Sequence, residues 1–66
     1  MKITVNGKET EVADGTTVGA LADTVVPDRT RIAIERNREI VPRGTFDETT
    51  VAPGDVIEIV TLVGGG

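Results

Sequence analysis

The sequence contains no cysteine and no histidine. Without cysteine there are no disulfides, thiolate nucleophiles, iron–sulfur clusters or zinc–thiolate sites. Without histidine there is no Ser-His-Asp triad, no imidazole metal ligand and no side chain whose unperturbed pKa lies near neutrality. Both absences favour a non-catalytic domain. Basic residues are also in the minority: seven Lys and Arg against eleven Asp and Glu, for a net charge of −4 and a pI of about 4.5. Nucleic-acid binding needs a basic stripe that displaces counterions, so this balance argues against it. Long apolar runs are missing. The opening "MKITVNGK" lacks the apolar core of a signal peptide, and nothing approaches a transmembrane span, so a soluble, cytoplasmic protein is expected.

What is present is short: 66 residues, enough for one domain. A domain of this size buries only ~60% of the surface its unfolded chain exposes. A deep cleft with its own catalytic constellation does not fit. Function is expected on a face, at an edge or in a tail.

The basic residues are unevenly spread, with Arg29, Arg31, Arg36, Arg38 and Arg43 close together in sequence. Such a run reads first as a solvated edge or loop, and second as a small patch for an acidic partner.

Ile3 and Val5 alternate with Lys2 and Thr4, which is strand periodicity. Asn6-Gly7 is a strong hairpin signal, because both central residues of a type I′ turn need positive φ. The return strand "KETEV" places Thr10 and Val12 on one face, and Asp14-Gly15 ends it. The period then changes. Val18, Leu21, Ala22 and Val25 fall on one helical face, with Thr17 as N-cap and Pro27 as the stop. Gly19 inside this helix weakens it by roughly 1 kcal/mol relative to alanine, so the helix must lean on a sheet.

"RIAIERN" is the next strand, with Ile32 and Ile34 facing one side. Asn37-Arg38 reads as a turn, and "EIVPR" as a short edge strand ended by Pro42. Phe46, the only aromatic, is expected to cover the core with Val51, and Pro53-Gly54-Asp55 to form a turn. "VIEIVTLV" is the last and longest strand. Period two sends Ile57, Ile59, Thr61 and Val63 inward, and Val56, Glu58, Val60 and Leu62 outward. The outward apolar set of Val56, Val60 and Leu62 reads as a partner-binding face, since contiguous exposed apolar surface marks interfaces. The order of hairpin, helix, strand, short strand and final strand predicts an α+β, β-grasp arrangement, with one helix across a mixed sheet. Residues 1–63 form the domain in this reading. Gly64, Gly65 and Gly66 form a flexible tail.

The length, the order of elements, "NREIVPR" at residues 37–43, "PGDVIEIV" before the tail and the terminal Gly-Gly resemble the ThiS family. These are ubiquitin-like sulfur carriers of thiamine biosynthesis. The resemblance covers essentially the whole chain. Two departures stand out: a third glycine in the tail, and Asn37-Arg38 where Asn-Gly is often seen.

The resemblance implies that the Gly66 carboxylate is the working group. A ThiF-like enzyme would use its own bound ATP to adenylate it. A sulfur donor, such as a persulfide-forming cysteine desulfurase, would convert the adenylate to a thiocarboxylate. A ThiG-like thiazole synthase would take the sulfur for the thiazole ring of thiamine. The chain would then be a substrate and not an enzyme, binding no cofactor or metal of its own. Glycine suits such a tail, since a backbone without Cβ passes a narrow channel and leaves the terminal carbonyl open to attack. Other readings of the same features are a carrier for molybdopterin or cysteine formation, a ubiquitin-like modifier of lysines, and a β-grasp interaction module without sulfur chemistry.

Overall fold

Two tight turns with positive φ at both central positions organise the sheet. In the computed structural model, which describes residues 1–62, Asn6 and Gly7 have φ of 51° and 80°, and Asn37 and Arg38 have 52° and 72°. The first joins β1 (Lys2–Val5) to β2 (Lys8–Glu11), and the second joins β3 (Ile32–Arg36) to β4 (Glu39–Ile40). Both pairs are antiparallel hairpins. Arg38 occupies a position that favours glycine, so the second turn forms at a local cost.

The hairpins do not touch as a sheet until β5 (Val56–Thr61) enters between them. The strand order is β2-β1-β5-β3-β4. β5 runs parallel to β1 through Thr4↔Val56 and Val5↔Ile57, and antiparallel to β3 from Arg36↔Ile57 to Ile32↔Thr61. The mixed five-stranded sheet carries one helix, α1 (Val18–Val25), as expected from the order of elements. Both edges are poor templates for further pairing. β2 reads Lys8, Glu9, Thr10, Glu11, and β4 is two residues long with Pro42 close behind.

The core lies between sheet and helix. Ile3, Val5, Ile32, Ile34, Ile57 and Ile59 come from the sheet, Val18, Leu21 and Ala22 from the helix, and Val41, Phe46 and Val51 from the long connection. Thr17 caps the helix by accepting from the Ala20 amide at 3.1 Å. Thr10 is half-buried, and Val12 packs against the core.

Two inward assignments are corrected. Val25, expected on the buried helical face, is 45% exposed; it ends the helix, and Val26 packs against the core in its place. Thr61, expected inward, is exposed. Pairing of β1 with β5 stops at Ile57, so among the described residues only β3 lies beside β5 at Thr61. Val63 and the glycine tail lie outside the described residues.

Gly19 has a packing reason that helix propensity does not reveal. A Cβ there would collide with the Asp47 carboxylate, stand 2.5 Å from an Arg29 guanidinium nitrogen and lie 3.2 Å from the Phe46 carbonyl oxygen. The Gly19 amide donates to that same carbonyl at 2.9 Å. The helix therefore meets the long connection through bare backbone.

Candidate functional site

The register places Lys2, Thr4, Glu9, Glu11, Ala33, Glu35, Ile40, Val56, Glu58 and Val60 on the sheet face opposite the helix. No described element covers this face. Val56 is 46% and Val60 52% exposed, as expected from the alternation of β5. Val60 is paired directly with Ala33, which makes the apolar strip two strands wide. Ile40, at 65% exposure, extends it to the sheet edge. Ile40 was not foreseen as part of the face. Its facing depends on β3–β4 register, which the short run "EIVPR" does not specify.

Leu62 follows β5 and is half exposed. Its amide donates to the Arg31 carbonyl at 2.7 Å, so the backbone stays tied to the β3 side. The side chain borders a groove of about 190 Å³ along the free edge of β3, with Ala33, Ile40, Pro42, Arg43 and Phe46 among its walls. Ala33 and Ile40 belong to both surfaces, so the open face and the groove are continuous.

The centre of the open face is acidic. Glu35 and Glu58 stand directly opposite each other on β3 and β5. Like charges in such a pair are destabilising, and the fold retains them beside exposed valines. The face thus combines an apolar strip with negative charge.

The basic run of residues 29–43 is largely spent on structure. Arg29 bridges Asp23 at 3.0 Å and Asp47 at 2.9 Å. Arg43 donates to the carbonyls of Arg29 and Ile32 at 3.2 and 2.9 Å, and its guanidinium lies 5.9 Å from the Phe46 ring centroid. It thereby occupies part of the β3 edge.

Arg36 and Asn37 meet at Asp55, a buried carboxylate. Arg36 Nε donates to it at 2.7 Å, Asn37 Nδ2 at 3.0 Å and the Ala52 amide at 2.8 Å. Asn37 Oδ1 in turn accepts from the Val56 amide at 2.9 Å, fixing the first residue of β5. Burial pushes the Asp55 pKa up, but the bonds from Ala52, Asn37 and Arg36, with the Arg36 charge, outweigh it and leave the carboxyl below its ordinary range. The "NREIVPR" stretch and the "PGD" turn are therefore one assembly, joined through Asn37 and Asp55.

A family model, the ThiS family, matches residues 2–66. The chain belongs to the ThiS family. Among relatives, the sulfur carrier protein ThiS of Bacillus subtilis is 35% identical over 63 residues, covering 94% of this chain and 96% of that protein. A thiazole synthase of Paramagnetospirillum magneticum is 41% identical over 66 residues, which are all of this chain and 20% of the relative. The chain spans about one fifth of the length of the thiazole synthases it matches. The crystal structure of the thiamine biosynthesis protein ThiS from Geobacter metallireducens superimposes with a TM-score of 0.84 at 38% identity, covering both chains completely. The β-grasp sheet with α1 packed across it is thus the ThiS fold.

Gly64, Gly65 and Gly66 fall outside the described residues, so the structure leads to them only as far as Leu62. Among the described residues, no group of three or more acidic side chains is placed to hold a metal ion. No described helix is long and apolar enough to cross a membrane.

Proposed function

We propose that the chain is a sulfur carrier whose Gly66 carboxylate is activated and converted to a thiocarboxylate, and that the sulfur goes to the thiazole ring of thiamine. The observation that carries this reading is the exposed strip Val56–Val60–Leu62 on a ThiS-family body, leading in sequence into Gly64, Gly65 and Gly66. The chain acts as a covalent substrate and supplies no catalytic group. The activating enzyme, of ThiF type, holds the ATP. A Gly66 carboxylate oxygen attacks the α-phosphate, pyrophosphate leaves, and the acyl-adenylate forms. Hydrosulfide then attacks the carbonyl carbon, AMP leaves, and one oxygen has been exchanged for sulfur. A cysteine desulfurase can supply the sulfur as a persulfide, with a thiol reductant cleaving the mixed disulfide that results.

The likeness to thiazole synthases supports a thiazole synthase of ThiG type as the acceptor. The open face fits docking to such partners. Its valines and Ile40 supply apolar contact, and Glu35 and Glu58 select a basic rim on the other side. Docking also offsets the ordering of the tail, which costs roughly 1–2 kcal/mol per residue. These reactions belong to the cytoplasm, where ATP and reduced thiols are present.

The test is an intact-mass measurement after incubation with ATP, a sulfide source and the adenylating enzyme of the same organism. Exchange of one oxygen for sulfur, abolished by deletion of Gly66, supports the carrier. An unchanged mass with a competent enzyme refutes it, and a ladder of protein conjugates identifies a modifier instead. For the docking face, Val60→Asp and Leu62→Asp raise the KM for adenylation at least about fivefold, the effect of losing one interface contact above 1 kcal/mol, with the domain still folded. Normal KM values in both variants remove the open face from the reaction.

A further inference from the structure

The register of β1 against β5 ends at Val5↔Ile57, and the Asn6 amide makes the last backbone bond, to the Ile57 carbonyl at 2.9 Å. β5 continues to Thr61 with β3 on one side only. Residues alternate in the neighbour they address. The Leu62 amide points to the Arg31 carbonyl and the Val56 carbonyl accepts from Asn37, so the even positions face β3. The odd positions face the β1 side, where Ile57 still has its partner and Ile59 and Thr61 lie beyond the end of β1.

At Ile59 that side is filled by the Asn6 side chain. The Ile59 amide donates to Asn6 Oδ1 at 2.7 Å, and Asn6 Nδ2 donates to the Ile59 carbonyl at 3.1 Å. A side-chain amide offers the same donor and acceptor as a peptide group. Asn6 therefore continues the ladder for one more position while its own backbone turns away at φ 51°. The two groups are 53 residues apart in sequence.

We propose that Asn6 is a positioning residue for docking: its side-chain amide clamps the half of β5 that β1 does not reach, and so holds Val60 and Leu62 in place for the partner. The proposal rests on the carrier reading above. The turn and the clamp are separable duties. Glycine adopts positive φ as readily as asparagine, so it serves the turn, but it has nothing to offer Ile59. The core does not use the clamp's side chain: Ile3, Val5 and Ile57 are buried in the cluster with the helix, and β1 is held to β5 through Thr4↔Val56 and Val5↔Ile57.

The experiment compares the full chain with Asn6→Gly and Asn6→Asp. Amide exchange at Ile59 in N6G should rise roughly tenfold, as for loss of a hydrogen bond at a local opening, with exchange at Ile57 unchanged. The KM of the adenylating enzyme for N6G should rise about tenfold at constant kcat, since the chemistry of the tail is untouched. N6D keeps the acceptor for the Ile59 amide and loses the donor, so it should fall between the two. Should N6G fail to fold, N6D reports the same split from one lost bond. Unaltered exchange at Ile59 overturns the clamp. Faster exchange with an unaltered KM, or a loss confined to kcat, overturns its role in docking. If the enzyme never adenylates the wild-type chain, the carrier reading fails, and exchange at Ile59 still decides whether Asn6 holds β5.

Discussion

Replacing Asp55 by alanine removes one carboxylate that serves three donors from two segments of the chain. The Ala52 amide, Arg36 Nε and Asn37 Nδ2 lose their acceptor together. Hydrogen bonds to a charged group contribute roughly 1.5–3 kcal/mol each at buried sites. Arg36, at 35% side-chain exposure, recovers water when its partner goes, so its share is discounted. A net loss of ~2–4 kcal/mol results, against ~3–10 kcal/mol expected for a domain of this length. At about 4–8 °C per kcal/mol, the thermal midpoint should fall by roughly 8–32 °C, read by circular dichroism.

The effect depends on pH. The folded-state pKa of Asp55 is depressed, so its contribution is complete above the unfolded value of about 3.9 and is lost as pH falls through the lower folded value. The gap between wild type and D55A should therefore be full at neutrality and shrink in acid. Asp55→Asn keeps an acceptor but turns an NH2 group toward one of the three donors. It should lie between the two at neutral pH. A D55A midpoint within about 4 °C of wild type, or a gap that stays constant into acid, would refute the reasoning.

Two further substitutions test the backbone. Gly19→Ala adds roughly 1 kcal/mol of helix propensity, yet its Cβ displaces the Arg29–Asp47 pair and presses on the Phe46 carbonyl. Urea unfolding should show no gain and a loss of up to about 1 kcal/mol; a more stable variant would show that the connection yields freely. Arg38→Gly relieves an arginine at φ 72°, and should stabilise the domain by about 0.5–1 kcal/mol, a rise of several degrees in the melting midpoint.

The fold was legible because period and turn chemistry agree along the chain. Asn6-Gly7 and Asn37-Arg38 give their hairpins, Thr17 and Pro27 bracket the helix, and the alternation of β5 identifies Val56 and Val60 as outward. The errors at Val25 and Thr61 share a cause. Both sit at the end of an element, where burial depends on which neighbour extends far enough, and periodicity carries no such information. Ile40 was missed because its facing is inherited from the β3 register. The clamp by Asn6 was hidden behind a correct reading: asparagine is explained fully by the turn, and its second partner is 53 residues away. The Asn37–Asp55 contact was likewise invisible as contact, although both residues lie in the stretches that carried the family resemblance.

The position of β5 in the sheet has a consequence for how the molecule is made. Among the described elements it comes after both hairpins and the helix, yet it is the central strand, and the described part of each hairpin meets the other through it. Before Val56–Thr61 has left the ribosome, the chain can form two isolated hairpins and a short helix, none of which is stable alone. Pairing Thr4 with Val56 then closes nearly the whole chain in one step. A translation product that stops short of this strand has no sheet to fold into and remains open to proteases. The sheet is therefore complete only when Val56–Thr61 is present to join the two hairpins.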